Sequence, residues 1–338
     1  MKAQKANIAF FIFGLAMLTY LVLDFGLEQI LENIIQTGWW FLPILGLWLV
    51  IYIMNAMAWH YIIGIGHNSN FREILRLMIS GFAINYMTPV VGLAGEPYKV
   101  MNIRNKVGIQ KASSSVILYN MMHILSHFYF WLATVVLVVA FTPLTKAAYI
   151  ASGFTFIVLI FLVIIFYAWH RKGIVYTLLG FVERIPFMKN RIIRLRENNE
   201  SLNQIDEQIR FLYNGQRKTF YIILFIEFIA RVIGSLEFYF IMKAIGHDVS
   251  ILQAIYISAA SSLIANLFFF IPLQLGTREG SLYMVFDSLK FTPELGVFVS
   301  LVTRIREFFW ILVGLILMRI TSVKNKKTGV TIYQTDSQ

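Results

Sequence analysis

Long apolar segments with few or no charges limit what this sequence can fold into. A helix of about 20 apolar residues spans the hydrocarbon core of a bilayer. Segments that approach or exceed this length are residues 7–23, 39–59, 112–141, 147–169, 219–242 and 295–318. Only 14% of the residues are charged, against about 25% in soluble proteins. The sequence therefore predicts an all-α polytopic membrane protein with about six full spans.

Composition excludes several classes of protein. The chain has no Cys, which excludes disulfide frameworks, thiol catalysis and Cys-ligated metal sites. Its net charge of +11 would suit a nucleic-acid binder if the chain were soluble, but the chain is 58% hydrophobic. Its basic residues are therefore first a signal of membrane topology. This composition leads us to expect no nucleic-acid partner. The sequence has no nucleotide-binding loop, so we expect no ATP-driven transport, and we expect no cofactor.

Lys and Arg concentrate in alternate connections between the apolar segments. Of the 29 Lys and Arg residues, 22 lie in the first few residues and in residues 72–76, 99–111, 171–218 and 319–327. Cytoplasmic loops of membrane proteins are enriched in Lys and Arg. We therefore expect both termini and the loop 170–218 to lie on the cytoplasmic side of the membrane. The expected membrane is the bacterial cytoplasmic (inner) membrane.

Two apolar segments do not fit this alternation as full spans. Residues 72–111 begin and end in basic groups on the predicted cytoplasmic side, and residues 248–294 begin and end on the outer side by the same count. Each segment therefore predicts a re-entrant helical hairpin. Interrupted backbone at membrane depth is tolerated only beside protein or water, so we expect both hairpins to line an internal cavity.

The two predicted hairpins share a residue pattern. Each has an Asn late in its entering helix, then a Pro, and then a Glu seven residues after that Pro. The matching residues are Asn85 and Asn266, Pro89 and Pro272, and Glu96 and Glu279. Because the hairpins enter from opposite sides, the pattern predicts two inverted-topology repeats, as in many alternating-access transporters.

The repeats divide the predicted single membrane domain into successive parts. Residues 1–38 form the first span and an outer loop, and residues 39–141 form the first repeat. Residues 142–218 form a linking span and the basic loop, residues 219–320 the second repeat, and residues 321–338 a cytoplasmic tail.

The hairpin residues resemble the lysylphosphatidylglycerol synthase transmembrane region family, the flippase-like domain of the multiple peptide resistance factor. The resemblance rests on Asn85, Pro89, Gly92, Gly95, Glu96, Lys99, Pro272, Gly276, Arg278, Glu279 and Arg304. It implies inverted repeats with re-entrant helices and the movement of a lipid between leaflets. Lys99 stands where an Arg is common, which keeps the charge but loses bidentate phosphate binding. Leu273-Gln274 stands where family members often have Gly-Gly.

Aminoacyl transfer in that family resembles the work of a separate soluble domain that follows the membrane part. Only residues 319–338 follow the last predicted span here. We therefore expect this chain not to be an enzyme.

Five ionisable residues are candidates to bind or gate a lipid head group, because a charge inside a membrane needs a partner or a function. They are Glu96, Lys99, Arg278, Glu279 and Arg304. A phosphate is bound by delocalised cations and by backbone N–H groups at a helix start. We expect Gly92, Gly95 and Gly276 to permit close backbone approach, Pro89 and Pro272 to set the breaks, and Asn85 and Asn266 to satisfy the broken backbone.

Purely structural interpretations stay open for these charges. Glu96 and Glu279 also suit the first turn of a helix, where carboxylates complement the macrodipole. Arg304 and Glu307 lie at positions i and i+3, where they would pair within one helix. Arg306 has no assigned partner at this point.

Other polar residues in the apolar segments have weaker interpretations. Glu227 and Arg231, at i and i+4, are expected to neutralise each other. Glu237 is either a protonation site or a residue near the membrane interface. His123 and His127 share a helix face, but the Glu of the HExxH zinc motif is absent. We therefore expect no metal there, but a polar stripe or a hydrogen bond to a neighbouring helix.

The expected function is that of a lipid flippase-like transporter. Its partner would be a membrane lipid with an anionic or polyprenyl-phosphate head group, such as a phospholipid, an aminoacyl-lipid or a polyprenyl-phosphate-linked lipid. Two alternatives stay open: a membrane-embedded lipid head-group transferase, and a non-catalytic scaffold of an envelope-assembly complex. An oligomer is compatible with the sequence.

Overall fold

A computed structural model describes most of the chain. The described residues are 27–64, 70–88, 94–142, 145–172, 217–268 and 276–328, with Ile12, Thr19, Glu207, Ile271 and Gln274 as isolated positions. Within these ranges the chain is helical and no strand is present. The predicted first span, residues 7–23, and most of the basic loop lie outside the described residues.

The described part contains ten α-helices. They are α1 (Leu27–Thr37), α2 (Phe41–Ile63), α3 (Phe71–Met87), α4 (Gly95–Val107), α5 (Ile109–Phe141), α6 (Lys146–Lys172), α7 (Arg217–Ala244), α8 (Ile251–Leu267), α9 (Thr277–Ser288) and α10 (Pro293–Thr328). A 3-10 turn, Gly38–Trp40, joins α1 to α2.

Four helical stretches are long and apolar enough to cross a membrane. They are Leu31–Ile63, Ile109–Phe141, Lys146–Ala168 and Arg217–Ala244. They include nearly all of the predicted spans 39–59, 112–141, 147–169 and 219–242. The chain is thus an all-helical integral membrane protein. The predicted span 295–318 lies within α10, which is longer still but carries three charged residues in its middle.

Local sequence signals start the two helices that open the predicted hairpins. The Asn70 side chain accepts a hydrogen bond from the Arg72 backbone N–H and caps α3. Ser250 and Gln253 form a reciprocal capping box at the start of α8. Such caps satisfy N–H groups that the first helical turn leaves without partners.

The chain forms two compact units, which we describe separately. The first comprises residues 1–53, 70–102 and 236–338, and the second comprises residues 54–69 and 103–235. Each unit draws on segments from both predicted repeats.

In the first unit, α10 packs against α1, α3 and α9, and α8 packs against α9. Its apolar core is built from α2, α7, α8, α9, α10 and the loop before α8. The core residues are Ile44, Ile241, Met242, Val249, Ala254, Ile257, Leu282, Val285, Phe286, Val299 and Val302. This core packs the second half of α9 against the first part of α10.

Glycines on α10 permit close contact with two neighbouring helices. A Cβ atom on Gly296 would lie 2.6 Å from the backbone carbon of Leu282 in α9. A Cβ atom on Gly314 would lie 2.7 Å from Cβ of Ala83 in α3. Nearby, the Ser80 hydroxyl donates a hydrogen bond to the Gly314 carbonyl over 3.0 Å. Small residues at helix contacts are a general device of membrane proteins.

In the second unit, α5 packs against α6. An open apolar cleft lies between α5, α6 and α7. The α6 helix exposes a row of large apolar side chains, including Ile150, Phe154, Ile157 and Phe161. Side chains at this spacing share one helical face, which suits a surface in contact with lipid.

The glycine contact between α9 and α10 makes a test of this packing. We expect Gly296→Ala to lower stability by about 1–3 kcal/mol, because the added methyl group meets rigid backbone. Thermal unfolding in detergent measures this change. Gly280→Ala on α9 is the matched control, since a Cβ atom there meets nothing within 4 Å. Equal or higher stability of Gly296→Ala would contradict the packing.

Candidate functional site

The ends of α3 and α4 meet through a side chain of the first predicted hairpin. The Asn85 side-chain oxygen accepts a hydrogen bond from the Gly95 backbone N–H over 2.7 Å. Its amide nitrogen donates to the Glu96 carboxylate over 3.0 Å. Asn85 therefore caps the start of α4 from the neighbouring helix and also orients Glu96, as expected for a residue that satisfies interrupted backbone.

Only glycine fits where α3 and α4 are closest. A Cβ atom on Gly95 would lie 2.2 Å from the Gly81 carbonyl oxygen. A Cβ atom on Gly81 would lie 3.2 Å from the Lys99 side chain, which runs across it. Lys99 is 3% exposed, and its ammonium lies 2.7 Å from the Glu96 carboxylate. Glu96 and Lys99 thus form a buried ion pair.

Glu279 organises the start of α9 in the second predicted hairpin. One carboxylate oxygen accepts a hydrogen bond from the Gly276 backbone N–H over 2.9 Å. The other accepts hydrogen bonds from Ser300 over 3.1 Å and from Arg304 over 2.7 Å. Gly276 has a φ of +75°, which L side chains rarely adopt. Glu279 is therefore both a helix-start residue and the partner of Arg304.

Arg278, the neighbour of Glu279, pairs with a different residue of α10. Its guanidinium donates a hydrogen bond to the Glu307 carboxylate over 2.7 Å and a longer one to the Gln274 side chain over 3.4 Å. Two ion pairs thus join the first turn of α9 to α10. In one pair the cation lies on α9, and in the other it lies on α10.

A third ion pair is buried between α10 and α7. Arg306 donates to both oxygens of Glu237 on α7, over 2.9 and 3.2 Å. Trp48 on α2 donates to the same carboxylate over 2.9 Å, and its ring lies 3.7 Å from the Arg306 guanidinium carbon. Arg306 and Glu237 are each 3% exposed. This pair has the tightest enclosure and is best explained as structural.

Arg304 brings the ends of the two predicted hairpins together. It bonds to Glu279 in the second hairpin and lies 3.4 Å from the Tyr86 hydroxyl at the end of α3. Tyr86 follows Asn85, the residue that binds Glu96. Tyr86 of the first predicted hairpin and Arg278 and Glu279 of the second therefore lie around one stretch of α10.

The charges of this site balance. Four basic side chains each face one carboxylate. The pairs are Arg278 with Glu307, Arg304 with Glu279, Arg306 with Glu237, and Lys99 with Glu96. The predicted phosphate-binding arginines are therefore paired with carboxylates in this conformation. The side chains on α9 are the more accessible members, with Arg278 20% and Glu279 24% exposed, against 5% for Arg304 and 7% for Glu307. A ligand would approach from the α9 side.

Several sequence-based interpretations need correction. Arg304 and Glu307 do not pair within α10, because each reaches a partner on α9. The interpretation of Glu237 as a residue without a partner near the membrane interface is wrong, because Arg306 binds its carboxylate in the protein interior.

Asn85 and Asn266 do not make equivalent contacts. The Asn266 side chain is exposed and donates to the Ser262 carbonyl in its own helix, over 2.7 Å. Pro89, Gly92 and Pro272 lie outside the described residues.

Sequence reasoning missed several members of the site. Glu307 was considered only as a partner of Arg304 within one helix, and Tyr86 and Trp48 were not predicted to contact the charged residues. The spacing of Arg304, Arg306 and Glu307 was a usable signal, since three charges within one turn of an apolar helix require partners on several neighbours. No comparable signal marked Tyr86 or Trp48, because aromatic residues are common throughout this chain.

The second unit contains a separate polar cluster on α5 and α7. His123 Nδ1 lies 2.7 Å from a Glu227 carboxylate oxygen. Arg231 donates to the Ser126 hydroxyl over 2.7 Å and to the His123 carbonyl over 2.8 Å. Glu227 and Arg231 each bond to α5 and not directly to each other, while Arg231 stays one helical turn from Glu227 as a counter-charge. Among the described residues, no group of His, Asp and Glu is arranged to hold a metal ion.

The buried pair of Glu237 and Arg306 allows a charge test. We expect Glu237→Gln to destabilise the protein by about 3–5 kcal/mol, because it leaves a buried guanidinium without a counter-charge. The double variant Glu237→Gln, Arg306→Gln should recover most of that loss. Unfolding of the two variants in detergent measures both effects. Equal stability of wild type and Glu237→Gln would show that the pair is not buried as described.

Comparisons with known proteins agree with this architecture. Residues 7–314 match the family described as the lysylphosphatidylglycerol synthase TM region. A UPF0104 membrane protein of Methanocaldococcus jannaschii is 22% identical over 320 residues, which cover 91% of each chain. A UPF0104 membrane protein of Methanothermobacter thermautotrophicus is 24% identical over 250 residues, 71% of this chain and 72% of that protein. No solved structure matches significantly. Because the family match covers nearly the whole sequence, the chain belongs to the lysylphosphatidylglycerol synthase transmembrane region family.

Proposed function

We propose that this protein moves a lipid with an anionic head group between the leaflets of its membrane. The head group passes along the polar residues at the ends of α3 and α9, while the acyl chains stay in the bilayer. The observation that carries this proposal is Arg304, which contacts Tyr86 of the first predicted hairpin and Glu279 of the second.

Exchange of ion-pair partners supplies a mechanism. Arg278 and Arg304 are each paired with a carboxylate, and a guanidinium binds phosphate with the same two-pronged geometry. A lipid phosphate that replaces Glu279 leaves Arg304 paired at every stage. The released Glu279, which is 24% exposed, turns towards water. Because an unpaired charge inside a membrane is costly, such an exchange lowers the barrier to movement of the head group.

Helix lengths support re-entrant hairpins in an inverted repeat. The α3 and α8 helices have 17 residues each, α4 has 13 and α9 has 12. At 1.5 Å per residue the longest of these extends about 26 Å, short of the roughly 30 Å of a hydrocarbon core. We propose that each hairpin enters part of the membrane and returns to its own side, with both chain termini in the cytoplasm.

The substrate class follows from the same residues. Phospholipids, aminoacyl-lipids and polyprenyl-phosphate-linked lipids share a phosphate beside long apolar chains. The family name refers to a lipid of the aminoacyl class, which places this class among the substrates to test first.

Lipid movement in proteoliposomes tests the proposal. We expect the double variant Arg278→Gln, Glu307→Gln to lower the rate of movement of a fluorescent anionic phospholipid by about ten- to a hundredfold, because one charge-assisted bond to phosphate is lost. Removing both partners leaves no unpaired charge and preserves the fold. Lys290→Gln, an exposed charge change in the turn after α9, is the matched control and should retain the wild-type rate.

Other outcomes separate the competing functions. Wild-type vesicles that move lipid no faster than empty vesicles would contradict the proposal and favour a scaffold. A change in the mass of the head group during the assay would instead favour a transferase. Equal rates for wild type and the double variant would exclude Arg278 from the path.

The absence of Cys allows a direct test of topology. Single cysteines at Arg72, Asn105, Asp248 and Lys290, all exposed positions, are labelled with a membrane-impermeant thiol reagent in intact cells and in inverted vesicles. We expect the first two positions to react only in inverted vesicles and the last two only in intact cells. If Arg72 and Asn105 react on opposite sides, α3 and α4 together cross the membrane and the inverted repeat is lost.

A further inference from the structure

We infer that His123 and Glu227 in the second unit form a proton-binding site within the membrane-spanning part of the protein. Glu227 lies on α7 and His123 on α5, both within helices that are long and apolar enough to cross a bilayer. The inference deepens the proposed lipid movement by naming an ion that drives it. The coupling role of this site rests on the proposed lipid movement, but proton binding at the site does not.

The geometry requires at least one proton on the pair. His123 Nδ1 and the Glu227 carboxylate oxygen are 2.7 Å apart, a distance at which one atom donates a hydrogen to the other. With a neutral imidazole as the donor, the pair carries one negative charge. A second proton from water makes the pair neutral, and in the inferred site it resides on the enclosed Glu227 carboxylate, which gives imidazole with carboxylic acid.

The surroundings accommodate both protonation states. The Glu227 side chain is 1% exposed, and its second carboxylate oxygen is buried without a hydrogen-bond partner. A neutral carboxyl suits that enclosure, because a buried charge needs full compensation. The anionic form has Arg231 on the same helix as a counter-charge, held by Ser126 and the His123 carbonyl. The cluster is therefore neutral in one state and carries one positive charge in the other.

Other titratable groups border the pair. On α5, Tyr119 and His127 lie one turn to either side of His123, with ring centroids 5.8 and 5.5 Å away. The His127 Nδ1 atom is buried without a hydrogen-bond partner. Helix α6 meets α5 through the hydroxyls of Tyr167 and Tyr129, and α2 meets it at Trp59 and Ser115. Of the groups named here, Arg231 is the one that carries a permanent positive charge beside the pair of His123 and Glu227.

The inferred site assigns the entry of the proton to His123. Its side chain is 38% exposed on the surface of α5, whereas Glu227 is enclosed. Histidine side chains take up and release protons readily near neutral pH. In the inferred site a proton passes to Glu227 through His123. Protonation changes the charge at a contact between α5 and α7, so it biases how these two helices pack.

Infrared spectroscopy of the purified protein in nanodiscs tests proton binding without any transport. Difference spectra are recorded between about pH 5 and pH 8, where histidine pairs titrate. We expect a pH-dependent carboxylic-acid C=O band in the wild type that is absent in Glu227→Gln. Glu294→Gln, an exposed carboxylate change on α10, is the control and should keep the band. Identical spectra for wild type and Glu227→Gln would overturn the inference.

A second variant covers the case in which Glu227→Gln does not fold. His123→Gln keeps the carboxyl but removes the imidazole, and we expect it to move the midpoint of the band by about one pH unit or more. An unchanged midpoint would overturn the shared site.

The coupling role is tested separately in proteoliposomes with an imposed pH gradient. We expect the gradient to change the rate of anionic phospholipid movement in the wild type and not in Glu227→Gln. An equal response of both proteins would overturn the coupling role. Absence of lipid movement in the wild type, with the infrared band present, would instead contradict the proposed function and leave the proton site standing.

Discussion

The architecture of the first unit depends on the cost of a charge inside a membrane. Arg304, Arg306 and Glu307 sit in the middle of α10, where each needs a counter-charge. Their partners lie on two neighbouring helices: Glu279 and Arg278 on α9, and Glu237 on α7. These pairs hold the start of α9 and the C-terminal part of α7 against α10. The same requirement explains why the site is neutral as a whole, and it is the basis of the proposed exchange of a carboxylate for a lipid phosphate.

Two kinds of buried charge carry out different tasks. Arg306 and Glu237 are enclosed on all sides, with Trp48 bonded to the carboxylate and stacked on the guanidinium. This pair is suited to fix helix positions. Arg278 and Glu279 are partly exposed and lie where Gly276 breaks the backbone before α9. Interrupted helices whose ends carry charges are a recurring design for substrate sites in transporters, and this difference in exposure separates the two tasks within a single network.

Much of the fold and part of the site could be predicted from the sequence. Four of the predicted spans match long apolar helices, because an uncharged run of that length has few other solutions. The candidate residues Glu96, Lys99, Arg278, Glu279 and Arg304 could be selected because an ionisable residue stands out in an apolar sequence. Which residue pairs with which could not be predicted, since the pairing of Arg304 with Glu279 and of Arg278 with Glu307 depends on how α9 packs against α10. The matching positions of Asn85 and Asn266 also concealed a difference, because only Asn85 reaches across to another helix.

The central claim is that the ends of the two hairpins meet inside the membrane at Arg304. Nitroxide labels at cysteines replacing Thr88, which follows α3, and Thr277, which begins α9, measure this separation directly by pulsed electron spin resonance in nanodiscs. If each hairpin stops part-way, the label separation should be well below the thickness of the hydrocarbon core, roughly 30 Å. If each hairpin crosses completely from its own side, the two labels lie near opposite surfaces. A separation close to that full thickness would contradict the account.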